Sequence, residues 1–168
     1  MVRLGIESLD EKTLTGFLDG LEKRFGENGY RTERDAVIGR YKTNMVGKKT
    51  GFVLMLGNVL ARHVVVTGMD GVDMSAAKDY RDTMMNHAWG DRPLGGILVM
   101  SVIVSNEFSD ELKNWAQKES LSRGIGAVGC LVLLSLASHE AYSPGQPSIF
   151  GRWFFGEVRK VLSILTDF

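Results

Sequence analysis

Two apolar stretches decide the fold of this chain: Leu94-Gly-Gly-Ile-Leu-Val-Met-Ser-Val-Ile-Val-Ser105 and Gly124-Ile-Gly-Ala-Val-Gly-Cys-Leu-Val-Leu-Leu-Ser-Leu-Ala137. Neither contains a charged residue, and apolar side chains occupy successive positions rather than alternate ones. This pattern is typical of strands that helices cover on both faces, because every side chain is then buried. We therefore predict two central strands, over Gly96–Ser105 and Ala127–Leu136.

Four helices are predicted around these strands. A capping box at Ser8–Glu11 begins the first helix, and Gly26 ends it. The second helix begins after Asp73, a residue type that caps helices well, and ends before Gly90. The remaining two helices are predicted over Ser109–Gly124 and Ile149–Leu165.

The segment between the first two helices has the pattern of an antiparallel three-stranded meander. Its predicted strands are Ala36–Lys42, Phe52–Leu56 and His63–Thr67, separated by the turn-prone stretches Asn44–Thr50 and Gly57-Asn58. The element order is then α-βββ-α-β-α-β-α. We predict one α/β domain over residues 1–168, a mixed-sheet sandwich with helices on both faces.

Composition excludes some classes of function. The 168 residues include 20 basic and 20 acidic side chains, so no overall charge draws the chain to nucleic acid or an anionic membrane. Cys130 is the only cysteine and lies in an apolar stretch, which favours a buried thiol and a reducing, cytoplasmic location. Both apolar stretches are shorter than the roughly 18–20 residues that cross a bilayer, so no membrane span is predicted.

Gly124-Ile-Gly-Ala-Val-Gly129 matches the dinucleotide-binding pattern G-x-G-x-x-G. A phosphate-binding glycine loop must follow a strand and open a helix, so that helix N–H groups face the pyrophosphate. Here the glycines follow a predicted helix and enter a predicted strand. We interpret them as a helix end followed by close backbone packing, and we expect no cofactor.

Gly47-Lys-Lys-Thr50 is similar to the end of a phosphate-binding P-loop, but its second lysine breaks the required spacing. We interpret it as a basic hairpin turn folded over the strand that carries Arg40 and Lys42. Such a surface usually serves as a charged sheet edge that prevents aggregation. The alternative is phosphate contact, for which the candidates are Arg40, Lys42, Lys48 and Lys49.

The sequence predicts neither a metal site nor a known catalytic motif. No histidine has a second ligand at the i+3 or i+4 spacing of zinc sites, and no G-x-S-x-G is present. Asp70 and Asp73 precede the second helix, where a hard cation could bind through their oxygens. Acidic residues at this position are more often helix caps and first-turn charges.

The order helix, meander, helix, strand from Leu9 to Ser105 resembles the core of the restriction-endonuclease-like superfamily. In that family, an acid near the second meander strand and an acid-x-lysine pair on the third strand support metal-dependent cleavage. The corresponding predicted strands, Phe52–Leu56 and Arg62–Thr67, carry no carboxylate.

Two expectations follow from this resemblance. The first is that the chain is a catalytically silent relative of these nucleases, because proteins of one fold can have different functions. The second is a displaced catalytic site, with the candidates Asp35, His63 and Asp70.

The last predicted helix contains three consecutive aromatic residues, Trp153, Phe154 and Phe155, which spread over about 200° of its surface. Phe154 continues the apolar stripe that faces the core, which leaves Trp153 or Phe155 for a second surface. That surface is either the loop Ser143–Ser148 or a partner. Aromatic and arginine side chains are typical of interface centres, so we predict a homodimer contact through Trp153, Phe155, Arg152 and Arg159.

The sequence thus favours a non-catalytic binding or interaction domain that self-associates. One alternative is a metal-dependent, nuclease-like enzyme that acts on nucleic acid. Another is a small-molecule binder. Its pocket is expected at the carboxyl ends of the central strands, near Ser105-Asn106 and Ser138-His139-Glu140, as in other open α/β sheets.

Overall fold

The structure is a computed structural model that describes residues 9–53, 58–90, 96–118, 122–124, 127–145 and 152–167, with the backbone alone at 52–53, 58, 122–124 and 152–155. The helices are α1 (Glu11–Glu27), α2 (Met74–Trp89), α3 (Asp110–Lys118) and α4 (Arg152–Thr166). The strands are β1 (Arg31–Arg34), β2 (Val37–Ile38), β3 (Tyr41–Lys42), β4 (Met45–Val53), β5 (Asn58–Gly68), β6 (Ile97–Ser105), β7 (Ser122–Gly124), β8 (Ala127–Ser135) and β9 (Glu140–Tyr142).

Seven of these strands form one mixed sheet in the order β1-β4-β5-β6-β8-β7, with β9 also paired to β8. β4 is antiparallel to both β1 and β5, whereas β5, β6 and β8 are mutually parallel. β7 and β9 occupy the same edge of β8, one at its start and one at its end. The predicted α/β class and element order are confirmed.

Helices cover both faces of the sheet. On the face called here the α1/α4 face, Val64 and Val102 of the sheet pack with Leu21 of α1 and Val161 of α4. The opposite α2/α3 face includes Val65 and Ile103, which pack with residues of α2 and α3. β6 is buried at all nine positions, which explains why its sequence is apolar without alternation. Within the described residues, no helix is long and apolar enough to cross a membrane.

The meander is present, but its first strand is β1 and not residues 36–42. The latter form the separate β2–β3 hairpin. Asp35 has a φ of 55° and Gly39 a φ of 58°, so the chain leaves the extended conformation on both sides of β2. The hairpin instead places Ile38 in the core beside α2.

The turn predicted at Asn44–Thr50 is also wrong, because Met45–Val53 is the continuous strand β4. This strand is hydrogen-bonded on both edges, to β1 and to β5, which outweighs the weak strand propensity of its glycines and lysines. The third meander strand, β5, is longer than predicted. Residues 54–56 of the predicted second strand, and the turn glycine at 57, lie outside the described residues.

Two predicted helix boundaries differ from the structure, and a third lies outside the described residues. Asp10 is the N-cap of α1, since its carboxylate accepts a hydrogen bond from Thr13 N at 3.0 Å, and Ser8 of the predicted capping box lies outside the described residues. α3 ends at Lys118, and Gly124 belongs to β7 rather than to the end of a helix. α4 is described from Arg152, so the predicted start at Ile149 lies outside the described residues. The Asp73 cap of α2 is confirmed by a hydrogen bond from Ala76 N at 2.8 Å.

Candidate functional site

The carboxyl ends of the three parallel strands β5, β6 and β8 lie at one edge of the sheet, because parallel neighbours end in the same direction. Ser105 and Ser135 are the last residues of β6 and β8 and are partners in register. The loops that follow these strands therefore meet. Ligand sites of open α/β sheets form at this edge.

Two serine side chains fix these loops. Ser135 Oγ donates a hydrogen bond to the carbonyl of Asn106 at 2.6 Å and accepts one from Ser138 N at 3.2 Å. Ser105 Oγ donates to Asp70 Oδ1 at 3.2 Å, and the other oxygen of Asp70 accepts from Leu9 N at 2.8 Å. Both serine hydroxyls are thus held by partners at the strand ends.

A cleft of about 450 Å³ lies beside the loops that follow β6 and β8, and we call it the strand-end cleft. It is at the edge where the sequence predicts a small-molecule pocket. Its lining residues are Asn106, Glu107, Phe108, Lys113, Ser135, Ala137, Ser138, Glu140 and Tyr142.

The polar wall of the cleft joins α3 to β9. Lys113 Nζ lies 5.1 Å from the centroid of the Tyr142 ring, a cation–π distance. The hydroxyl of Tyr142 donates to Glu140 Oε2 at 2.5 Å. Hydrogen bonds from Tyr142 and Ser138, together with the positive charge of Lys113, lower the pKa of Glu140 below its usual value. This wall therefore presents a carboxylate that stays ionised at neutral pH.

The lining of the cleft combines acidic, basic, hydroxyl and aromatic groups. The lining carries the carboxylates of Glu107 and Glu140, the ammonium group of Lys113, which lies 3.8 Å from Asp110 Oδ1, and the aromatic rings of Phe108 and Tyr142. The lining has hydroxyl groups, but among the described lining residues there is neither a histidine nor a cysteine. Because Ser135 bonds only backbone groups in the described structure, it has no side-chain base to activate it.

The structure does not bring together the predicted catalytic residues Asp35, His63 and Asp70. His63 is buried at the middle of β5, about 16 Å along the strand from Gly68 at roughly 3.3 Å per residue. Asp70 lies beyond that end of the strand. Asp35 is exposed at the turn before β2 and pairs with Lys42 at 3.7 Å.

Among the described residues, neither Asp70 nor Asp73 lies in a group of metal ligands. Asp73 caps α2, and Asp70 accepts hydrogen bonds from Ser105 and Leu9. Across the part of the chain that the structure describes, no group of three or more His, Cys, Asp or Glu side chains could hold a metal ion.

The predicted basic surface of Arg40, Lys42, Lys48 and Lys49 is wrong as a single surface. Lys48 and Lys49 are successive residues of β4, so their side chains project to opposite faces of the sheet. Lys49 Nζ donates to Asn28 O at 2.7 Å. Arg40 pairs with Asp79 at 2.6 Å, on the separate hairpin.

The described residues of the glycine-rich motif lie in two antiparallel strands, Gly124 in β7 and Ala127–Gly129 in β8, and not at the start of a helix. A Cβ atom on Gly129 would lie 2.1 Å from Met85 Sδ of α2. The predicted close packing is therefore confirmed at Gly129, and the predicted helix end at Gly124 is not.

Of the predicted interface, only Arg159 is described with its side chain, and it is exposed on α4. The side chains of Trp153, Phe155 and Arg152 lie outside the described part of the structure. The interface stays a prediction.

Sequence reasoning missed Lys113 and Tyr142, although it placed the cleft. Lys113 is on the outward side of α3, where a lysine is ordinary, and Tyr142 follows the last central strand without a motif. The one available signal was the short segment after β8, which returns as β9 beside the loops. Comparison with protein-family models, with curated proteins and with solved structures finds no match to this chain.

Proposed function

We propose that this chain is a non-catalytic binding protein that takes a small polar ligand in the strand-end cleft. The observation that supports this most is the position of the cleft, at the carboxyl ends of parallel strands, with a preformed wall of Lys113, Tyr142 and Glu140. Such sites combine a concave shape with a few placed polar groups.

The charges in the cleft favour a ligand that carries an amine. Carboxylate groups are hydrogen-bond acceptors only, and the lining has two of them, on Glu107 and Glu140, against one lysine, Lys113, which already pairs with Asp110 at 3.8 Å. An ammonium group near Glu140 would form a charge-assisted hydrogen bond. Lys113 can receive an acidic or carbonyl group of the same molecule, so amino acids and small polyamines are the class we propose.

Self-association through α4 is the second part of the proposal. Three consecutive aromatic residues on one helix support it, because one core cannot cover all of them. Arg159 at the described part of this helix is exposed, as an interface rim residue would be. We also propose a cytoplasmic location, which the burial of the single cysteine supports.

We also propose that this chain shares its architecture with the restriction-endonuclease-like superfamily. The order of α1, the meander β1-β4-β5, α2 and β6 supports it. β4 and β5 have no Asp or Glu in their sequences, which favours a silent relative over a nuclease.

A thermal-shift screen tests the binding proposal. The panel is the common free amino acids with putrescine and spermidine, each at about 1 mM, a concentration that raises Tm when Kd is well below it. We expect at least one compound to stabilise the wild type, to lose this effect in Glu140→Gln, and to keep it in Glu27→Gln, an exposed glutamate on α1. A panel without effect, or an effect that survives both Glu140→Gln and Lys113→Ala, would contradict the proposal.

A further inference from the structure

The hydrogen-bonding groups that line the strand-end cleft differ in how far the chain itself already uses them. Apart from the amide of Asn106, which both donates and accepts, the side-chain donors of the described lining are on Lys113, Ser135, Ser138 and Tyr142. The side chains of Glu107 and Glu140 are carboxylates, which only accept hydrogen bonds when they are ionised. The partners of each group within the chain therefore indicate what a ligand has to supply.

The hydroxyl donors already serve bonds within the chain. Ser135 Oγ donates to the carbonyl of Asn106 at 2.6 Å, and the hydroxyl of Tyr142 donates to Glu140 Oε2 at 2.5 Å. The side chain of Ser138 forms a hydrogen bond with Glu140 as well. A ligand that needs a hydroxyl donor would have to break one of these bonds.

Lys113 is the one basic side chain among the described lining residues, and it has neighbours of its own. Its Nζ atom lies 3.8 Å from Asp110 Oδ1 and 5.1 Å from the centroid of the Tyr142 ring. Its positive charge also acts on Glu140. A ligand carboxylate would compete with these groups for Lys113 and would be repelled by the two acids beside it.

The acceptors of the lining are less used than the donors. Glu107 is exposed, and its carboxylate forms no hydrogen bond or ion pair with the described residues. Glu140 receives two hydrogen bonds, whereas a carboxylate can accept about four. The ring of Tyr142 already holds the ammonium group of Lys113, so this wall accepts a positively charged nitrogen. The cleft therefore suits a ligand that is rich in donors.

On the basis of the proposed function, we infer that the ligand of the cleft is an aliphatic diamine or polyamine and not an amino acid. An ammonium group has three N–H donors and no acceptor, so one can bind Glu107 and another Glu140. The two carboxylates outnumber the single lysine of the lining, which favours a ligand with two positive charges. The methylene chain between the amines can lie against the half-buried ring of Phe108.

Three related compounds separate the contributions of the charged groups. Cadaverine has an amine at each end of a pentane chain, lysine is cadaverine with an added carboxylate, and pentylamine is cadaverine without its second amine. In calorimetric titrations at about 50 mM salt, where charges are weakly screened, cadaverine is expected to bind roughly tenfold more tightly than lysine or pentylamine.

The outcomes distinguish this inference from the proposed function. Lysine that binds as tightly as cadaverine overturns the inference, and the loss of that binding in Glu140→Gln would still support the proposed function. The absence of binding by these three compounds and by putrescine and spermidine overturns both.

Variants connect the two amines to the two carboxylates. Glu107→Gln and Glu140→Gln are each expected to weaken the binding of cadaverine roughly tenfold or more, because each removes one charge-assisted hydrogen bond. Glu111→Gln is the matched control, since it removes an exposed glutamate of α3 that is outside the described lining of the cleft. Glu107 is exposed too, so its variant is expected to fold. Equal losses in Glu107→Gln and Glu111→Gln would show a general attraction of cations and overturn the inference.

Discussion

Arg62 Nε donates to Glu157 Oε2 at 2.7 Å, and this ion pair joins β5 of the sheet to α4. Both side chains are largely buried, with 9% and 13% of their surface exposed. A second link, from Arg24 Nε to the carbonyl of Ile164 at 2.9 Å, ties α1 to the end of α4. The terminal helix is therefore held to the domain by polar bonds as well as by its apolar stripe.

The pair predicts how stability depends on pH. Burial acts to raise the pKa of Glu157, but the hydrogen bonds and charges of Arg62 and Lys160 outweigh it and lower the pKa below 4.5. A carboxylate with a lowered folded pKa stabilises the fold above its unfolded pKa, and this contribution is lost as pH falls through the folded value. We expect Glu157→Gln to lose stability at pH 7 and to be less sensitive to acid than the wild type.

Urea unfolding at several pH values between about 7 and 3 measures this effect, since the pH slope of the free energy of unfolding reports proton uptake. Glu27→Gln on the surface of α1 is the control and should follow the wild type. If the free energy of unfolding of Glu157→Gln falls as steeply with decreasing pH as that of the wild type, the Arg62–Glu157 pair does not contribute to the pH dependence of stability.

Gly129 tests whether the glycine-rich motif is a packing feature. A Cβ atom there would meet Met85 Sδ at 2.1 Å and Cγ at 2.6 Å, so we expect Gly129→Ala to destabilise the protein by about 1–3 kcal/mol. Met85→Ala in the same chain should recover part of this loss, because it removes the clashing atoms. Thermal unfolding of the wild type, the two single variants and the double variant measures these changes in stability. A fully additive double variant would mean that the two residues do not clash.

Cys130 is predicted to be chemically inert in the native state. Its thiol is buried, and burial raises its pKa to about 12, so almost no thiolate is present at neutral pH. A coloured disulfide reagent should react slowly with the folded protein and quickly after urea unfolding. Rapid and complete reaction without urea would place Cys130 at the surface, contrary to the structure.

The proposed self-association predicts the effect of two aromatic substitutions. Trp153→Ala or Phe155→Ala should convert a dimer to a monomer, since buried aromatic residues dominate interface energies. Native mass spectrometry reports the subunit number of each protein directly. Arg40→Ala, on the β2–β3 hairpin, is the control. A wild-type monomer, or a dimer that is unaffected by both aromatic variants, would remove α4 as the interface.

The central strands could be predicted closely from sequence. Residues of β6 and β8 are covered on both faces, so apolar residues occupy successive positions of their sequences. The predicted bounds of each strand differ from the structure by one residue at one end. β4 could not be predicted in the same way. Its Gly47-Lys48-Lys49 run has local turn character, and the pairing that makes it a strand comes from β1 and β5, which are distant in sequence.

The same distinction applies to the candidate sites. The edge that holds the strand-end cleft follows from the parallel strands, which are visible in the sequence. The polar wall of the cleft could not be predicted from the sequence, because Lys113 and Tyr142 meet only when α3 and β9 pack beside β8.

Binding in the strand-end cleft is the central claim, and amide NMR spectra recorded during titration with the best compound of the amine panel test it most directly. The account predicts saturable shifts confined to the loops after β6 and β8, the start of α3 and β9, and their loss in Glu140→Gln. Shifts that centre on another part of the chain, or no saturable shifts with any compound of the panel, would contradict it.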